Sequence, residues 1–355
     1  MSRFWNPLVA GLHPYIPGEQ PQFSDILKLN TNELPYGPSP AALTAMRESC
    51  DNSLRLYPDP TAKALRGVIA QTYDTSIDRV FVGNGSDEVL GHAFRALISP
   101  EGPMLFADVS YGFYPVYCGL FDQPYREIPL NARFEIDVED YAIPCGGIAI
   151  ANPNANTGHA IPLEAISRLA SLQPDRTIII DEAYVDFGAQ SAIRLTEEHD
   201  NLLVVQTLSK SRALAGLRVG YAIGHPDLIA GLVRVKDSFN SYPLSRLAQT
   251  GAAAAIADEE WLTQTTRQVM ATRERFVQNL AGLGFDILPS CANFVLVHHP
   301  AHQAGDLLVG LRERHIIVRQ LGAPRIRDWL RITIGTDAEM SRLIGALASM
   351  GLTTR

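Results

Sequence analysis

The chain is 355 residues long, 46% hydrophobic and 19% charged, proportions that exclude a disordered or fibrous polymer and, at ~150 residues per domain, allow roughly two domains. Its 30 Lys and Arg against 38 Asp and Glu give a formal net charge of −8. That argues against a nucleic-acid partner, since phosphate neutralisation needs a basic surface, but leaves room for a local cationic pocket around one small anion.

Taken from the start, Met1-Ser2-Arg3-Phe4-Trp5-Asn6-Pro7 does not read as a signal peptide, because Pro7, His13, Pro14 and Pro17 interrupt any apolar run. The most apolar stretch, 251–257, falls far short of the ~20 residues of a membrane helix, so a cytoplasmic location is expected. The first forty residues carry Pro14, Pro17, Gly18, Pro21, Pro35, Gly37, Pro38 and Pro40 and read as an arm draped over something else. Cys50, Cys118, Cys145 and Cys291 form no C-x-x-C pair and read as inert thiols.

The middle alternates short apolar runs with helical stretches. Strands are predicted at 79–82, 104–106, 147–150, 177–180, 202–205 and 219–223, each continuously apolar, as in strands buried on both faces. The alternation predicts an α/β fold with an open, mostly parallel central sheet flanked by helices. From about 245 to 283 the pattern is helical, and Gly284 ends it. Beyond lie strands at 293–297, 316–318 and 330–334 and a helix at 303–314, which read as a smaller α/β domain. The expected division is an arm with part of the small domain (1–48), a large domain (49–255) and a C-terminal small domain (256–355), with an interdomain helix at about 246–283. Tyr73 to Arg79 and Glu197 to Asp200 read as solvated loops. His298, His299 and His302 read as a surface loop, so no metal is expected.

The polar residues that matter fall just beyond predicted strand ends, where open α/β sheets bind ligands. Gly83-Asn84-Gly85-Ser86-Asp87-Glu88 follows a strand and opens a helix, the arrangement that brings amides and a helix dipole to a phosphate. Glu88 occupies the third glycine position of a dinucleotide fingerprint, and no Gly-Lys-Ser/Thr of a P-loop follows. The other reading of this segment is a plain turn capped by Ser or Asp. Asp181-Glu182-Ala183-Tyr184 ends another strand, and an acid there needs a cationic partner. Thr207-Leu208-Ser209-Lys210-Ser211, with Arg218 beyond, offers an amine nucleophile and a phosphate grip. Together these groups meet the needs of pyridoxal 5′-phosphate: a lysine, an acid for the ring nitrogen, a phosphate cup, Tyr111 to stack on the ring and Tyr184 for its phenolic oxygen.

At this point the chain resembles a fold-type I aminotransferase of the histidinol-phosphate aminotransferase family. The matching segments are Lys28-Leu29-Asn30-Thr31-Asn32-Glu33, Tyr36-Gly37-Pro38-Ser39-Pro40, Tyr57-Pro58-Asp59, residues 83–88, 152–158, 181–184 and 207–210, Gly216-Leu217-Arg218, and Leu330-Arg331-Ile332-Thr333-Ile334-Gly335. The resemblance implies that Lys210 is the Schiff-base lysine and proton shuttle, that Asp181 keeps the ring nitrogen protonated, and that Tyr184 donates to the phenolic oxygen. It implies a phosphate site from Gly85, Ser86, Asp87, Ser209 and Arg218, with Thr207 beside them. Tyr57 is expected to reach the cofactor of a partner subunit in a homodimer. Arg331 is expected to grip the substrate carboxylate bidentately, with Tyr15 and Asn32 on the substrate side. The family's Asn-Pro-Thr-Gly is here Ala155-Asn156-Thr157-Gly158, which leaves Asn154 or Asn156 to replace the asparagine at the phenolic oxygen, and Asn154 is favoured. Leu56 precedes Tyr57 where the family has arginine, although Arg55 is adjacent.

The reaction implied is amino transfer from histidinol phosphate to 2-oxoglutarate in histidine biosynthesis. The alternatives are transamination of aromatic amino acids, decarboxylation of threonine phosphate on the same fold, and a dinucleotide-dependent oxidoreductase. The last leaves Lys210 unexplained.

Overall fold

The structure is a computed structural model that describes residues 2–20 and 25–352. In chain order the strands are β1 (Leu27–Lys28), β2 (Val80–Gly83), β3 (Met104–Ala107), β4 (Tyr125–Ile128), β5 (Gly147–Ala151), β6 (Ile178–Asp181), β7 (Leu202–Thr207), β8 (Gly220–Gly224), β9 (Asp286–Ile287), β10 (Phe294–His298), β11 (Ile316–Ile317), β12 (Arg319–Gln320) and β13 (Leu330–Thr333).

Seven of them form one sheet in the order β2-β8-β7-β6-β5-β3-β4. From β7 to β4 every pairing is parallel, and β8 alone runs against both of its neighbours. The strands from β5 to β8 are buried at every position. The period of two then divides their side chains between two cores: Ile179, Val205 and Ala222 pack on one face, and Ile178, Ile180, Leu202, Val204 and Ile223 on the other. Each large side chain so buried contributes about 1.5–3 kcal/mol, which is why these strands are continuously apolar.

The one strand of this sheet outside the predicted set, β4, sits at the sheet edge with Tyr125, Arg126 and Glu127 exposed. Charged edges resist pairing with other chains, so β4 lacks the apolar signature of its neighbours. The expected helix from 246 to 283 is two helices, Arg246–Ala257 and Glu259–Gly282, parted at Asp258, whose side chain caps the second by accepting from Trp261 N.

The second sheet, β12-β13-β10-β9, is antiparallel. The arm is tied to this part of the chain, because β1 pairs in parallel with β11. The segments read as solvated loops are not free of the body. Arg79 Nε meets Glu197 Oε1 at 3.0 Å, and the Tyr73 hydroxyl turns inward to Gln206 and Tyr221. His298 lies between Asp286 and Asp328, at 3.3 and 3.6 Å, and among the described residues no group of three His, Cys, Asp or Glu is placed to hold a metal. No helix among them is long and apolar enough to cross a membrane.

Candidate active site

A cleft opens at the carboxyl ends of the central strands. Two connected cavities of about 560 and 240 Å³ share Thr31, Asp87, Tyr111, Tyr184, Lys210 and Arg218. The smaller one adds Ser86, Asp181, Thr207 and Ser209, and the larger adds Tyr15, Asn156, Arg319 and Arg331.

The smaller cavity is a product of strand ends. Asp181, the last residue of β6, accepts from the Tyr114 hydroxyl at 3.0 Å through Oδ2, while its Oδ1 is buried without a partner. Burial pushes this carboxyl up to about 6. An acid so placed is stabilised by a cation, and a protonated ring nitrogen supplies one. Lys210, three residues past β7, donates to Thr31 O at 2.9 Å and stands 5.8 Å from the Tyr184 ring centre.

At the neighbouring strand end, the 13-residue helix Gly85–Leu97 begins without a side-chain cap, leaving its first amides for an anion. Gly85 has φ +81, and a Cβ there would lie 2.4 Å from Arg218 Nη2; at Gly220 one would lie 2.3 Å from Ser86 N. Glycine at both positions lets the turn and the arginine close into a cradle. Arg218 is held by Asp87 Oδ2 at 3.0 Å and by Ser209 Oγ at 3.4 Å, and Thr207 Oγ1 donates to Ser209 Oγ at 3.0 Å. The Tyr111 hydroxyl donates to Asp87 Oδ1 at 2.7 Å, which fixes its ring on the wall of both cavities.

Two expected ligands are placed differently. Asn154 does not line this cleft. Its amide donates to Val109 O at 2.8 Å, and its Oδ1 accepts from Asn156 N and Thr157 N at 2.9 and 3.0 Å. The loop after the Asn152–Pro153 bond has thus taken up its hydrogen-bonding capacity. Ala155 and Asn156 face the two cavities instead. Asn32 is 1% exposed and lines neither cavity. Its Oδ1 accepts from Thr333 Oγ1 at 2.9 Å, so its Nδ2 donates to the Tyr184 hydroxyl oxygen at 3.0 Å. Asn32 therefore orients Tyr184 and leaves the Tyr184 proton to be donated elsewhere. Tyr57 is 79% exposed, stacked on Tyr242 at 4.7 Å, and lines neither cavity.

The larger cavity depends on strand register. Arg331 on β13 stands directly opposite Arg319 on β12. Arg331 Nη1 donates to Ala155 O at 2.8 Å, while Nε is buried and unpartnered. Burial, with the charge of Arg319, pushes this guanidinium below its ordinary value. Arg319 holds the arm through Ile16 O and Pro17 O at 3.2 and 3.4 Å, which places Tyr15 5.1 Å from the Phe113 ring and 6.5 Å from that of Tyr111. Sequence reasoning missed Arg319. The only local signal was its place beyond the apolar 316–318 run, because the facing arginine is twelve residues on (331 − 319).

The family model for aminotransferase class I and II matches residues 24–347. The chain belongs to the class I and II aminotransferases. It is 67% identical over 347 residues to histidinol-phosphate aminotransferase 2 of Gluconobacter oxydans, covering 98% of each chain. It is 59% identical to the histidinol-phosphate aminotransferase of Gluconacetobacter diazotrophicus, covering 99% of this chain and 98% of that one. A solved structure of histidinol-phosphate aminotransferase from Sinorhizobium meliloti, in complex with pyridoxal-5′-phosphate, superposes with a TM-score of 0.87 at 24% identity over 99% of each chain. The residues of this aminotransferase fit that cofactor. The unpartnered Asp181 oxygen suits a ring N–H, the Gly85–Arg218 cradle suits a phosphate, and the Lys210 amine lies in the same cavity.

Proposed function

We propose that this aminotransferase carries pyridoxal 5′-phosphate on Lys210 and transfers the amino group of histidinol phosphate to 2-oxoglutarate, giving imidazole acetol phosphate and glutamate. The observation that carries the donor is the Arg319–Arg331 pair. Like charges directly opposite one another on neighbouring strands are destabilising, and a dianionic phosphate monoester between them relieves that cost. A lone carboxylate, as on an aromatic amino acid, needs one arginine only. The 56–67% identity to four histidinol-phosphate aminotransferases supports the same donor.

When bound, the cofactor would supply an aldehyde carbon to carry the amino group and an electron-withdrawing ring to stabilise charge at the reacting carbon. Ser86, Ser209 and Arg218 hold its phosphate, and Thr207 positions Ser209. Asp181 keeps a proton on the ring nitrogen. Tyr184, oriented by Asn32, donates its hydroxyl proton to the ring oxygen. Lys210 Nζ would take a proton from the nitrogen-bearing carbon of the donor and deliver it to the cofactor carbon that receives the nitrogen, and reverse the transfer for the keto acid. Tyr111 covers the ring face, and Tyr15 closes the side-chain end of the cleft. Tyr57, Leu54, Leu56 and Phe239 expose an apolar surface, which supports a homodimer in which Tyr57 reaches the partner's cofactor; a cytoplasmic location accords with a biosynthetic role.

Side-by-side kinetics test the donor. Histidinol phosphate is expected to exceed phenylalanine and tyrosine in kcat/KM by roughly 100-fold, the worth of one charged contact of about 3 kcal/mol. Equal values for the three, or release of CO2 from phosphothreonine without keto-acid turnover, would overturn it.

A further inference from the structure

Glu182 follows Asp181 and therefore points to the opposite face of the sheet, away from the cofactor cavity. It is 1% exposed. Its backbone N–H still bonds Val205 O at 2.8 Å, so it continues the β6 ladder beside Gln206 of β7. Gln206 in turn is registered against Tyr221 of β8. The three side chains form a row across three strands, one residue from the row that faces the cofactor.

The row is a chain of hydrogen bonds that ends on the carboxylate. The Tyr221 and Tyr73 hydroxyls lie 2.6 Å from each other and 2.5 and 3.0 Å from Gln206 Oε1, which accepts from this pair. Gln206 Nε2 donates to Glu182 Oε2 at 2.8 Å, where Ser191 Oγ also donates at 2.6 Å, and Ala192 N donates to Oε1 at 2.6 Å. These three partners are neutral, and burial pushes the Glu182 carboxyl up to about 7. A buried acid without a cation is costly to keep, and the backbone ladder alone already pairs β6 with β7.

What the side chains add is a rigid tie between two strand ends with different tasks. Glu182 is covalently next to Asp181. Gln206 is next to Thr207, from which the chain turns through Ser209 to Lys210. We propose that Glu182 is a positioning residue of the aminotransferase: through Gln206 it fixes the Asp181 carboxylate relative to the Thr207–Ser209–Lys210 turn, so that the acid at the ring nitrogen and the lysine at the reacting carbon keep one spacing. The inference rests on the cofactor reading above. Small displacements of such groups cost much activity.

The test is pyridoxal 5′-phosphate binding to the full-length apoprotein, followed by cofactor absorbance, alongside kcat and KM. Glu182→Leu removes the carboxylate that Ser191, Ala192 and Gln206 share, leaving Gln206 Nε2 only the Ser191 hydroxyl at 3.4 Å. It is expected to raise the cofactor Kd by about 10–100-fold, as loss of outer-shell partners does at metal sites, and to lower kcat while the KM for the donor stays within about twofold. Glu182→Gln should restore most of both, because the Gln206 amide can turn over and the two tyrosine hydroxyls can accept as well as donate. If Glu182→Leu does not fold, Gln206→Leu breaks the same tie and leaves Glu182 its other two donors; it should raise Kd in the same direction. A folded variant of either kind with wild-type Kd and kcat and only a lower denaturation midpoint would overturn the proposal. Wild-type protein that takes up no pyridoxal phosphate would overturn the cofactor reading itself, a result distinct from variants that match a cofactor-binding wild type.

Discussion

The two ends of the cleft are built by different means. At the cofactor end each group follows directly on its strand: Asp181 closes β6, Lys210 lies three residues past β7, and Gly85 and Ser86 open the helix after β2. At the substrate end nothing is local. Arg319 and Arg331 meet because β12 and β13 pair in one register, and Tyr15 arrives on an arm held by Arg319. The first end is set chiefly by the central sheet, with Asn32 and Thr31 of the arm touching Tyr184 and Lys210, whereas the second depends on the placement of the smaller sheet. Variants at the two ends should therefore fail differently, in chemistry at one and in donor choice at the other.

The largest effect is expected at Lys210. On the proposed mechanism, Lys210→Ala removes both the amine that engages the cofactor and the group that moves the proton, and kcat should fall by roughly 10³-fold or more. The cofactor absorbance characteristic of attachment to lysine should vanish with it. Normal turnover in this variant would end the assignment.

Asp181→Asn comes next. Loss of the charge at the ring nitrogen should lower kcat by about 10²–10³-fold. It also changes how the apoprotein's stability depends on pH. The Asp181 carboxyl rises from 3.8 to about 6 on folding, through burial above all, with the Tyr114 hydrogen bond opposing. The folded state therefore binds more proton than the unfolded one between those values, and stability is lost as pH rises through that window. The substituted carboxamide does not titrate, so the variant should gain on wild-type apoprotein between about pH 4 and 7, by at most ~3 kcal/mol. Denaturation curves at about pH 4, 5.5 and 7 read this. A gain that shrinks with rising pH would contradict the buried, cation-seeking acid.

Arg319→Ala probes the other end. One charge-assisted contact is worth about 1.5–3 kcal/mol, so the KM for histidinol phosphate should rise by roughly 10–150-fold, with a smaller change for 2-oxoglutarate. Turnover of aromatic amino acids should be unaffected or improved, because Arg331 remains. If all donors suffer equally, Arg319 serves the arm and not the phosphate.

The same contrast explains what the sequence could show. The strands from β5 to β8, buried on both faces, announce themselves as apolar runs, and the polar residues that follow the parallel runs mark the ligand end of the sheet. That made Asp181, Lys210 and the turn at Gly85 legible. β4, exposed at three of four positions, carries no such mark. Arg319 was invisible because register between two-residue and four-residue strands is a property of the folded sheet. Asn32 was recognised but misplaced: its motif shows that an amide is wanted there, and only packing shows that it serves Tyr184.

Asn154 gives the smallest effect on function and the sharpest separation of scaffold from ligand. Its position beyond a strand end and its carboxamide both suit a contact to the ring oxygen, yet its bonds go to Val109 O, Asn156 N and Thr157 N. Removing them strands buried backbone groups, at a cost of about 1–3 kcal/mol each. Asn154→Ala should therefore lower the denaturant midpoint while cofactor affinity in the folded fraction stays within about twofold of wild type. Asn156→Ala should shift the balance toward function. Asn156 lines the larger cavity, and its Oδ1 stands 3.5 Å from Arg331 Nη1, so its loss should fall on KM for the anionic donor, with a stability cost confined to the Ser110 carbonyl that its Nδ2 holds. If Asn154→Ala instead shifts the cofactor's spectrum at unchanged stability, the amide must turn toward the ring in the loaded enzyme, and the loop would be a moving part of the cofactor end and not its frame.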